Sequence, residues 1–490
     1  MLFRSVHVPS SDEAFKSGRP YTVPPSPHRT DRRSQNTPMR TKSKQLSGSL
    51  SDLPDVILVE IFLWCIAVYS NERRIPVASF NKTYRWIIIA HICHRWRAVA
   101  LSTPALWAHI DTTCVVDWLE HVIDLSRSAQ LHARVVSFSM YPHPETLTRI
   151  ASEFYRVRTL TLMCSVCSDV DKISQYMLDP AGWCIPTLSS AHLSWLAQRT
   201  PFNVETAAFR SLFAKLVLPS IQRLTVTGFA FDGVQPCLTW CAIRELTLVS
   251  VRMSSTNGLL AALQGFKYLE SLILDYSARL NLYDQRVHLP ITRNSSPKVF
   301  LPCLRSLSLI GDLWPSCSFL SAIEIPSFTR ILIDASPVEV SEWRSLRLDT
   351  LSAIFAHMPY GVRRSSTSEP IISIRVESFS SNQVRLSGYQ VPISPRMSTS
   401  DLESPICSLT LWRLVVNDSV DMLEHLHELF DVSSVAVLDI RDAGSINMSI
   451  PASLCRDMFN LRTVCYNTPK ARWLDRLHMP SRDIVFKLIS

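Results

Sequence analysis

Glycine is the residue this chain has least room for: there are 11 in 490, where the usual share is about 7%. Enzymes that cradle phosphates or dinucleotides in backbone loops need glycine where the chain must approach its ligand closely. Such scarcity favours a scaffold built from packed side chains. No phosphate loop, dinucleotide fingerprint, Gly-x-Ser-x-Gly elbow or His-Glu-x-x-His helix occurs, so the motifs of the commonest nucleotide-binding enzymes, hydrolases and metalloproteases are missing. Long apolar runs are missing too. The most apolar stretches, 56–69 and 86–93, fall short of the ~20 residues of a bilayer span, and the first carries Glu60. The opening segment MLFRSVHVPSSDEAF has neither the apolar run nor the small-residue cleavage site of a secretory signal. Thirteen cysteines, an odd number and scattered, fit reduced thiols inside a cell. The expectation is a protein of cytosol or nucleus with no membrane span, no catalytic residues, no cofactor and no metal.

What the chain does have is apolar content: 47% of residues, enough to bury a large core in two or more domains or in one elongated array. The formal charge is +8, and six of those charges come from the first fifty residues, where nine basic residues face Asp12, Glu13 and Asp31. The remainder is close to neutral and shows no basic stripe, which argues against nucleic-acid binding. Residues 1–47 are rich in Ser, Pro, Thr and Arg with little apolar periodicity, so they read as a disordered tail that cannot offset its ordering entropy. The tail holds Ser26-Pro27 and Thr37-Pro38, which are candidate phosphorylation sites, beside basic clusters of nuclear-address type.

Structure is expected to open at Ser51-Asp52-Leu53-Pro54, a helix-start signal, since Ser or Asp can cap free amides and Pro has none to leave unpaired. Leu53, Ile57 and Ile61 then share one helical face. A second helical stretch runs from about Arg85 to Leu101, with Ile88, Ile92, Trp96 and Val99 at steps of four and three, and a polar break at Ser102-Thr103-Pro104 precedes Leu106-Trp107.

These residues resemble the F-box family. Leu53-Pro54 opens the motif, Ile61-Phe62 closes its first helix, and Cys93-His94-Arg95-Trp96-Arg97 follows in a third helix. The coda Ala100-Leu101-Ser102-Thr103-Pro104-Ala105-Leu106-Trp107 is similar to the variant abundant in mushroom-forming fungi. One departure is the connection Ala67–Trp86, longer than the family's usual link to its middle helix. The resemblance implies a small helical bundle over 48–110 that docks on a Skp-family adaptor, itself bound to a cullin scaffold. It implies adaptor contact for Leu53, Pro54, Ile57, Ile61 and Phe62, with Trp96 stabilising the bundle from within. A module this small leaves an apolar face open unless a partner covers it.

From Val157 onward an apolar-x-x-apolar-x-apolar pattern recurs, its end reading as a short strand. The clearest copies are Ile221/Leu224/Val226, Ile243/Leu246/Leu248, Leu269/Leu272/Leu274, Leu304/Leu307/Leu309 and Ile406/Leu409/Leu411. Val157/Leu160/Leu162, Phe328/Ile331/Ile333, Ile371/Ile374/Val376, Val435/Leu438/Ile440 and Leu461/Val464/Tyr466 are weaker. Leu218-Pro219-Ser220-Ile221 and Leu301-Pro302-Cys303-Leu304 lead into their strands alike. Helix-period runs such as 258–266 and 345–357 lie between, so the middle apolar positions recur every 22 to 43 residues from Leu224 onward. This resembles a leucine-rich repeat solenoid, in which stacking buries a core no unit could bury alone. The usual Asn three residues past the strand is replaced by Phe229, Val251, Ser277 and Asp312, which marks the repeats as irregular. Residues 361–404, rich in Ser and Pro, read as an exposed loop interrupting the array.

The expected fold class is therefore α+β, a helical bundle over 48–110 followed by an irregular α/β solenoid over 111–490. The open face of such a solenoid would carry Arg223, Thr225, Glu245, Thr247, Asp275, Ser306, Ser308, Thr410, Trp412, Asp439 and Arg441. Trp412 fits either a protein-binding face or a strand residue covered by a neighbouring loop. Glu424-His425-Leu426-His427-Glu428 looks metal-like, but histidines two apart on a helix point to different sides, and Cys164-x-x-Cys167 has no second pair at zinc-finger distance. The function implied is a substrate-recognition subunit of a Skp–cullin–F-box ubiquitin ligase that recruits a target protein. The alternative is a binding scaffold of the same architecture outside any ligase.

Overall fold

The computed structural model describes residues 53–71, 84, 86–137 and 144–165, a few single positions such as 170, 173 and 316, and shorter stretches from 183 to 488 centred on the strands named below. Residues 53–490 form one compact unit. The expected basic tail, the middle of the 67–86 connection, Arg441, Cys167 and the 424–428 segment lie outside the described residues.

The helices come first. α1 spans Asp55–Asn71, α2 Ile87–Ala90 and α3 His94–Ser102, and a 3-10 turn at Pro104–Trp107 leads to α4, Val116–Ser126, and α5, Pro144–Ala151. α3 stops where Thr103 turns extended (φ −105°, ψ 97°) ahead of Pro104, as the residue before a proline is disposed to do. Its freed carbonyls are not left bare. Thr103 Oγ1 donates to the Val99 carbonyl at 2.7 Å, and the buried Trp107 indole N–H donates to that of Ala100 at 2.8 Å. The Thr-Pro-Ala-Leu-Trp coda is thus a C-terminal cap in which a side chain seven residues on satisfies an orphan carbonyl.

The strands are β1 (His109–Asp111), β2 (Leu131–Ser137), β3 (Val157–Cys164), β4 (Trp183–Cys184), β5 (Ser190–Trp195), β6 (Leu216–Val217), β7 (Arg223–Thr227), β8 (Glu245–Val249), β9 (Ser271–Asp275), β10 (Val299–Phe300), β11 (Ser306–Asp312), β12 (Ile323–Glu324), β13 (Arg330–Ser336), β14 (Ser373–Ser380), β15 (Gln383–Tyr389), β16 (Cys407–Trp412), β17 (Val437–Asp439), β18 (Thr463–Tyr466) and β19 (Val485–Leu488). Fifteen of them form one sheet in the order β1-β2-β3-β5-β7-β8-β9-β11-β13-β16-β15-β14-β17-β18-β19, while β4 pairs with β6 and β10 with β12. Among the described residues every pairing is parallel except β14 with β15 and β15 with β16. The protein is therefore mixed α/β, dominated by a large and mostly parallel sheet.

The recurring triplet is the reason for this order. Ile221, Leu224 and Val226 are fully buried, as are Ile243/Leu246/Leu248, Leu269/Leu272/Leu274 and Leu304/Leu307/Leu309. In register, Leu193 lies beside Val226, then Leu248, Leu274, Leu309 and Ile333. One side chain in two therefore points to a shared core, which the alternation of strand residues enforces. Residues just before the strands repeat a second device: Arg244 and Glu245 both donate their amides to the Gln222 carbonyl, Glu270 and Ser271 to that of Arg244, and Arg305 and Ser306 to that of Glu270, at 2.7–3.0 Å.

Two expectations are corrected here. Residues 361–404 do not form one exposed loop, because β14 and β15 make an antiparallel hairpin that joins the main sheet between β16 and β17, and Ser387 and Tyr389 are buried. The alternation at Ile374 and Val376, then Val384 and Leu386, outweighs the Ser/Pro composition around it. Asp439, expected on the open face, is fully buried.

The position of the missing Asn is filled by apolar packing. Phe229 and Val251 are buried, and each follows a residue in the left-handed region, Gly228 at φ 78° and Ser250 at φ 54°. The Gly228 amide donates to the Val249 carbonyl at 2.9 Å and the Ser250 amide to that of Asp275 at 2.6 Å, tying each turn to the next strand. A Cβ at position 228 would stand 2.3 Å from the Trp195 carbonyl oxygen, so only glycine fits. Gly228→Ala is expected to lower stability by about 2 kcal/mol or more through backbone displacement and a strained φ. Ser250→Gly, which relieves the same φ, should shift it by less than about 1 kcal/mol. Denaturant unfolding of both variants measures the difference, and equal losses would contradict this account of the turn.

Candidate docking surface

α1 is apolar on two sides. Leu58, Phe62 and Ile66, at steps of four, are buried, with Phe62 at 0% exposure. A second stripe, Ile57, Ile61, Trp64 and Val68, falls within about 60° around the helix axis, since 3.6 residues make a turn. Of these, Ile57 is 45% exposed, Trp64 67% and Val68 40%, and Ile61 is half-buried. Ile88, Ile92 and Leu101 on the neighbouring helical segments are exposed as well. Seven of the twelve large apolar side chains found exposed among the described residues thus lie between positions 56 and 101. Scattered apolar residues on a surface are ordinary, but such a concentration on one small module marks a contact surface.

The buried face is held by rings meeting edge to face. Phe62 lies 6.0 Å from Trp86 and 5.8 Å from Trp96, Trp86 lies 5.2 Å from Trp107, and Trp107 lies 6.3 Å from Trp118. Tyr84 completes the set 5.6 Å from Trp118, and its hydroxyl donates to the His109 carbonyl at 2.9 Å. Such pairs contribute about 0.5–1.5 kcal/mol each beyond their buried area.

Of the residues expected to contact an adaptor, Leu53 is half-buried, Pro54 and Ile57 are exposed and Ile61 is half-buried, all at the start or on the open stripe of α1. Phe62 is the exception and is corrected: it belongs to the ring cluster and offers no contact surface. The Leu53 carbonyl accepts from Arg95 at 2.5 Å, and the same guanidinium meets Asp55 at 2.6 Å. The basic residue of the Cys-His-Arg-Trp segment thereby clamps the first turn of α1 to α3. Trp96 is buried. Trp64 and Val68 lie beyond the Ile61-Phe62 pair and carry no motif of their own; their spacing of seven and eleven from Ile57 is the signal that places them on the same stripe.

Where the helices meet the sheet, ionisable groups are half-buried or buried. His109 and His132 pair across β1 and β2 with rings stacked at 4.6 Å. Burial, with His132 alongside, lowers the His109 pKa to about 4, and burial and the Arg158 charge lower that of His132. Burial, then Asp111, raises the Cys114 thiol to about 12, so it stays protonated and unreactive. Further along, the buried Arg156 donates to Glu153 at 2.7 Å, to Ser126 Oγ at 3.1 Å and to the Ala129 carbonyl at 3.0 Å, while Arg149 reaches Glu153 at 2.6 Å. Burial alone would raise the Glu153 pKa, but the two guanidiniums outweigh it and hold it below its usual value. Among the described residues no group of three or more His, Cys, Asp or Glu is placed to hold a metal, and no helix is long and apolar enough to cross a membrane.

No family model matches the chain, and no curated protein does either. Among solved structures, the complex of Rad7 and Elc1 in yeast is similar over 88% of this chain and 92% of that one, at 12% identity and a TM-score of 0.25. A likeness of that degree carries no argument about this chain.

The half-buried histidines give a signed pH dependence. Their neutral forms are favoured in the fold, so the unfolded chain takes up protons first as pH falls below about 6.5, and stability drops between there and about 4. The depressed Glu153 adds a separate loss that begins only below about 4.5. His109→Phe, which keeps a ring on His132, should shrink the fall in melting temperature between pH 6.5 and 4.5 and leave the lower limb in place. An unchanged upper limb would show that the histidine pair does not control it.

Proposed function

We propose that the chain is the substrate-recruiting subunit of a Skp–cullin–F-box ubiquitin ligase. The helices from Leu53 to Trp107 act as the F-box-like module, and the parallel sheet with its intervening segments is an irregular leucine-rich repeat solenoid that holds the target. The observation that carries this reading is the second apolar stripe of α1. Ile57, Trp64 and Val68 are exposed although the helix already fills its core with Leu58, Phe62 and Ile66. A helix apolar on more than its core-facing side needs something to cover the rest. The cover we assign is the Skp-family adaptor, and through it cullin, because Leu53-Pro54, Ile61-Phe62 and the Cys93–Arg97 segment resemble the F-box motif in order.

In this role the chain itself performs no chemistry and needs no cofactor. It acts by holding a target protein so that its lysines meet activated ubiquitin, which converts an encounter in solution into a local one. The working compartment is the cytosol or the nucleus, where such ligases operate.

Ile57→Ala combined with Trp64→Ala should weaken adaptor binding by about thirtyfold or more, equivalent to about 2 kcal/mol. Because both side chains are substantially exposed, unfolding free energy should change by less than about 1 kcal/mol. Phe62→Ala should instead open a cavity costing about 3–5 kcal/mol and lose adaptor binding only as a consequence. Titration calorimetry against purified adaptor, beside denaturant unfolding, separates the two effects. If the Ile57/Trp64 variant binds adaptor like the unaltered protein, or the unaltered protein never binds it, a scaffold outside any ligase replaces this proposal.

A further inference from the structure

The first turn of α1 starts without a side-chain cap. The Ile57 and Leu58 amides donate to the Pro54 carbonyl at 3.0 and 3.1 Å, which makes Pro54 the residue at which the helix begins. Proline carries no side-chain oxygen, so it cannot accept from the opening amides of a helix as Ser, Thr, Asp or Asn do. What holds this turn comes from another helix. Arg95 on α3 donates to the Leu53 carbonyl at 2.5 Å and to Asp55 Oδ1 at 2.6 Å. One guanidinium nitrogen thus grips the chain on both sides of Pro54.

The electrostatics of the two helices do not explain Arg95. It lies in the first turn of α3, directly after His94 and with no acid in that turn, and it reaches the first turn of α1. Both are helix N-termini, where the aligned peptide dipoles disfavour a cation. Asp55, the acid in the first turn of α1, offsets that cost. Their ion pair is open to solvent, with side-chain exposures of 40% for Arg95 and 66% for Asp55, and pairs of that kind add little to stability. The fold therefore gains little free energy from Arg95. What Arg95 does fix is the place where the chain enters α1.

Ile57 belongs to that first turn and begins the open stripe that Ile61, Trp64 and Val68 continue. We infer that Arg95 is a positioning residue for docking. By pinning Leu53 and Asp55 to α3 it keeps the first turn of α1 wound in the free protein, so that Pro54 and Ile57 already stand in line with Trp64 when the adaptor arrives. A turn held in this way need not be ordered at the moment of binding. Without the clamp it frays, as helix ends with few buried contacts do. Only molecules in which it is wound can then dock, and the apparent affinity falls by that fraction. This inference rests on the reading of the α1 stripe as the adaptor-docking surface, and it adds a residue that sets the stripe in place.

The test uses the full chain carrying Arg95→Gln, Asp55→Ala or both. The free proteins are followed by hydrogen–deuterium exchange, and binding by surface plasmon resonance on immobilised Skp-family adaptor. In Arg95→Gln, exchange at the Ile57 and Leu58 amides should quicken by about tenfold while the amides of Phe62 and Ile66 keep their rates. Adaptor affinity should fall by about the same factor, with the loss in association and dissociation within about twofold of the unaltered protein. A residue that only touched the adaptor would change dissociation instead. Asp55→Ala should act in the same direction, and the combined variant should bind no more weakly than Arg95→Gln alone, because both remove one clamp. Arg95→Lys, whose ammonium has donors enough for both acceptors, should recover most of the association rate. Should Arg95→Gln fold poorly by circular dichroism, Asp55→Ala gives the same reading from a side chain that is two-thirds exposed. Unchanged first-turn exchange in a folded variant, an affinity loss carried by dissociation, or additive losses in the combined variant would overturn the inference. Adaptor bound by the unaltered protein, with first-turn exchange indifferent to Arg95, sinks only this inference. Adaptor refused by the unaltered protein sinks the ligase assignment, and the exchange rates then decide by themselves whether Arg95 holds the turn.

Discussion

The run of edge-to-face rings from Trp96 through Phe62, Trp86 and Trp107 to Trp118 fixes the helices against the first strands of the sheet, and the exposed stripe of α1 depends on it. Phe62 and Trp96 come from α1 and α3, Trp107 from the turn entering β1, and Trp118 from α4. One contiguous core extends from Leu58 in α1 to Val464 in β18. β1 is the outer strand of the sheet, and α4 packs beside it. The ring cluster keeps the buried stripe of α1 turned inward and the Ile57/Trp64/Val68 stripe turned out.

That division of α1 is decided by magnitude. Fully burying one large apolar side chain is worth about 1.5–3 kcal/mol, so three exposed ones leave several kcal/mol unclaimed in the isolated chain. A sequence under no demand but its own stability would gain solubility by placing polar residues there. Keeping Trp64, of all residues, at two-thirds exposure makes sense where a partner recovers the energy, since tryptophan anchors are prominent among residues that dominate interface energetics.

How much of this was legible in the sequence follows from which physical signals are local. The period-two alternation of Leu224/Val226 or Leu307/Leu309 is written in adjacent residues, so strands and buried rows could be read directly. The side of α1 that faces the core could not be. Leu53/Ile57/Ile61 and Leu58/Phe62/Ile66 are equally regular stripes, and only the positions of Trp86 and Trp96, 24 and 34 residues beyond Phe62, decide between them. Trp86 itself was hidden because it ends the long connection after α1. The hairpin β14–β15 was obscured by composition, since Ser and Pro flanking a strand read as loop until a neighbouring strand supplies the ladder. Asp439 shows the same limit from the other direction: its register beside Arg375 and Cys465 keeps it on the side of β17 opposite the core residue Leu438, yet that side is buried there too, which no local pattern announces.

The scarcity of glycine, which first argued against a nucleotide-binding enzyme, has a second meaning in the fold. Regular leucine-rich repeats resemble one another partly through an Asn at the turn, and here that position holds Phe229 and Val251 in the core instead. The turn must then be stabilised without a side-chain amide. Backbone amides take over, Gly228 donating to β8 and Ser250 to β9. A left-handed residue is required at both, yet Ser250 accepts φ 54° where most side chains would be strained by about 1–2 kcal/mol. Only at position 228, where the Trp195 carbonyl closes off the space a Cβ needs, is glycine obligatory. Each turn thus bonds to the strand after it rather than closing on itself. Adjacent units are coupled pairwise by main-chain hydrogen bonds that do not depend on which side chains the open face carries. An array held together in this way can vary its exposed rows without loosening the joints between its strands.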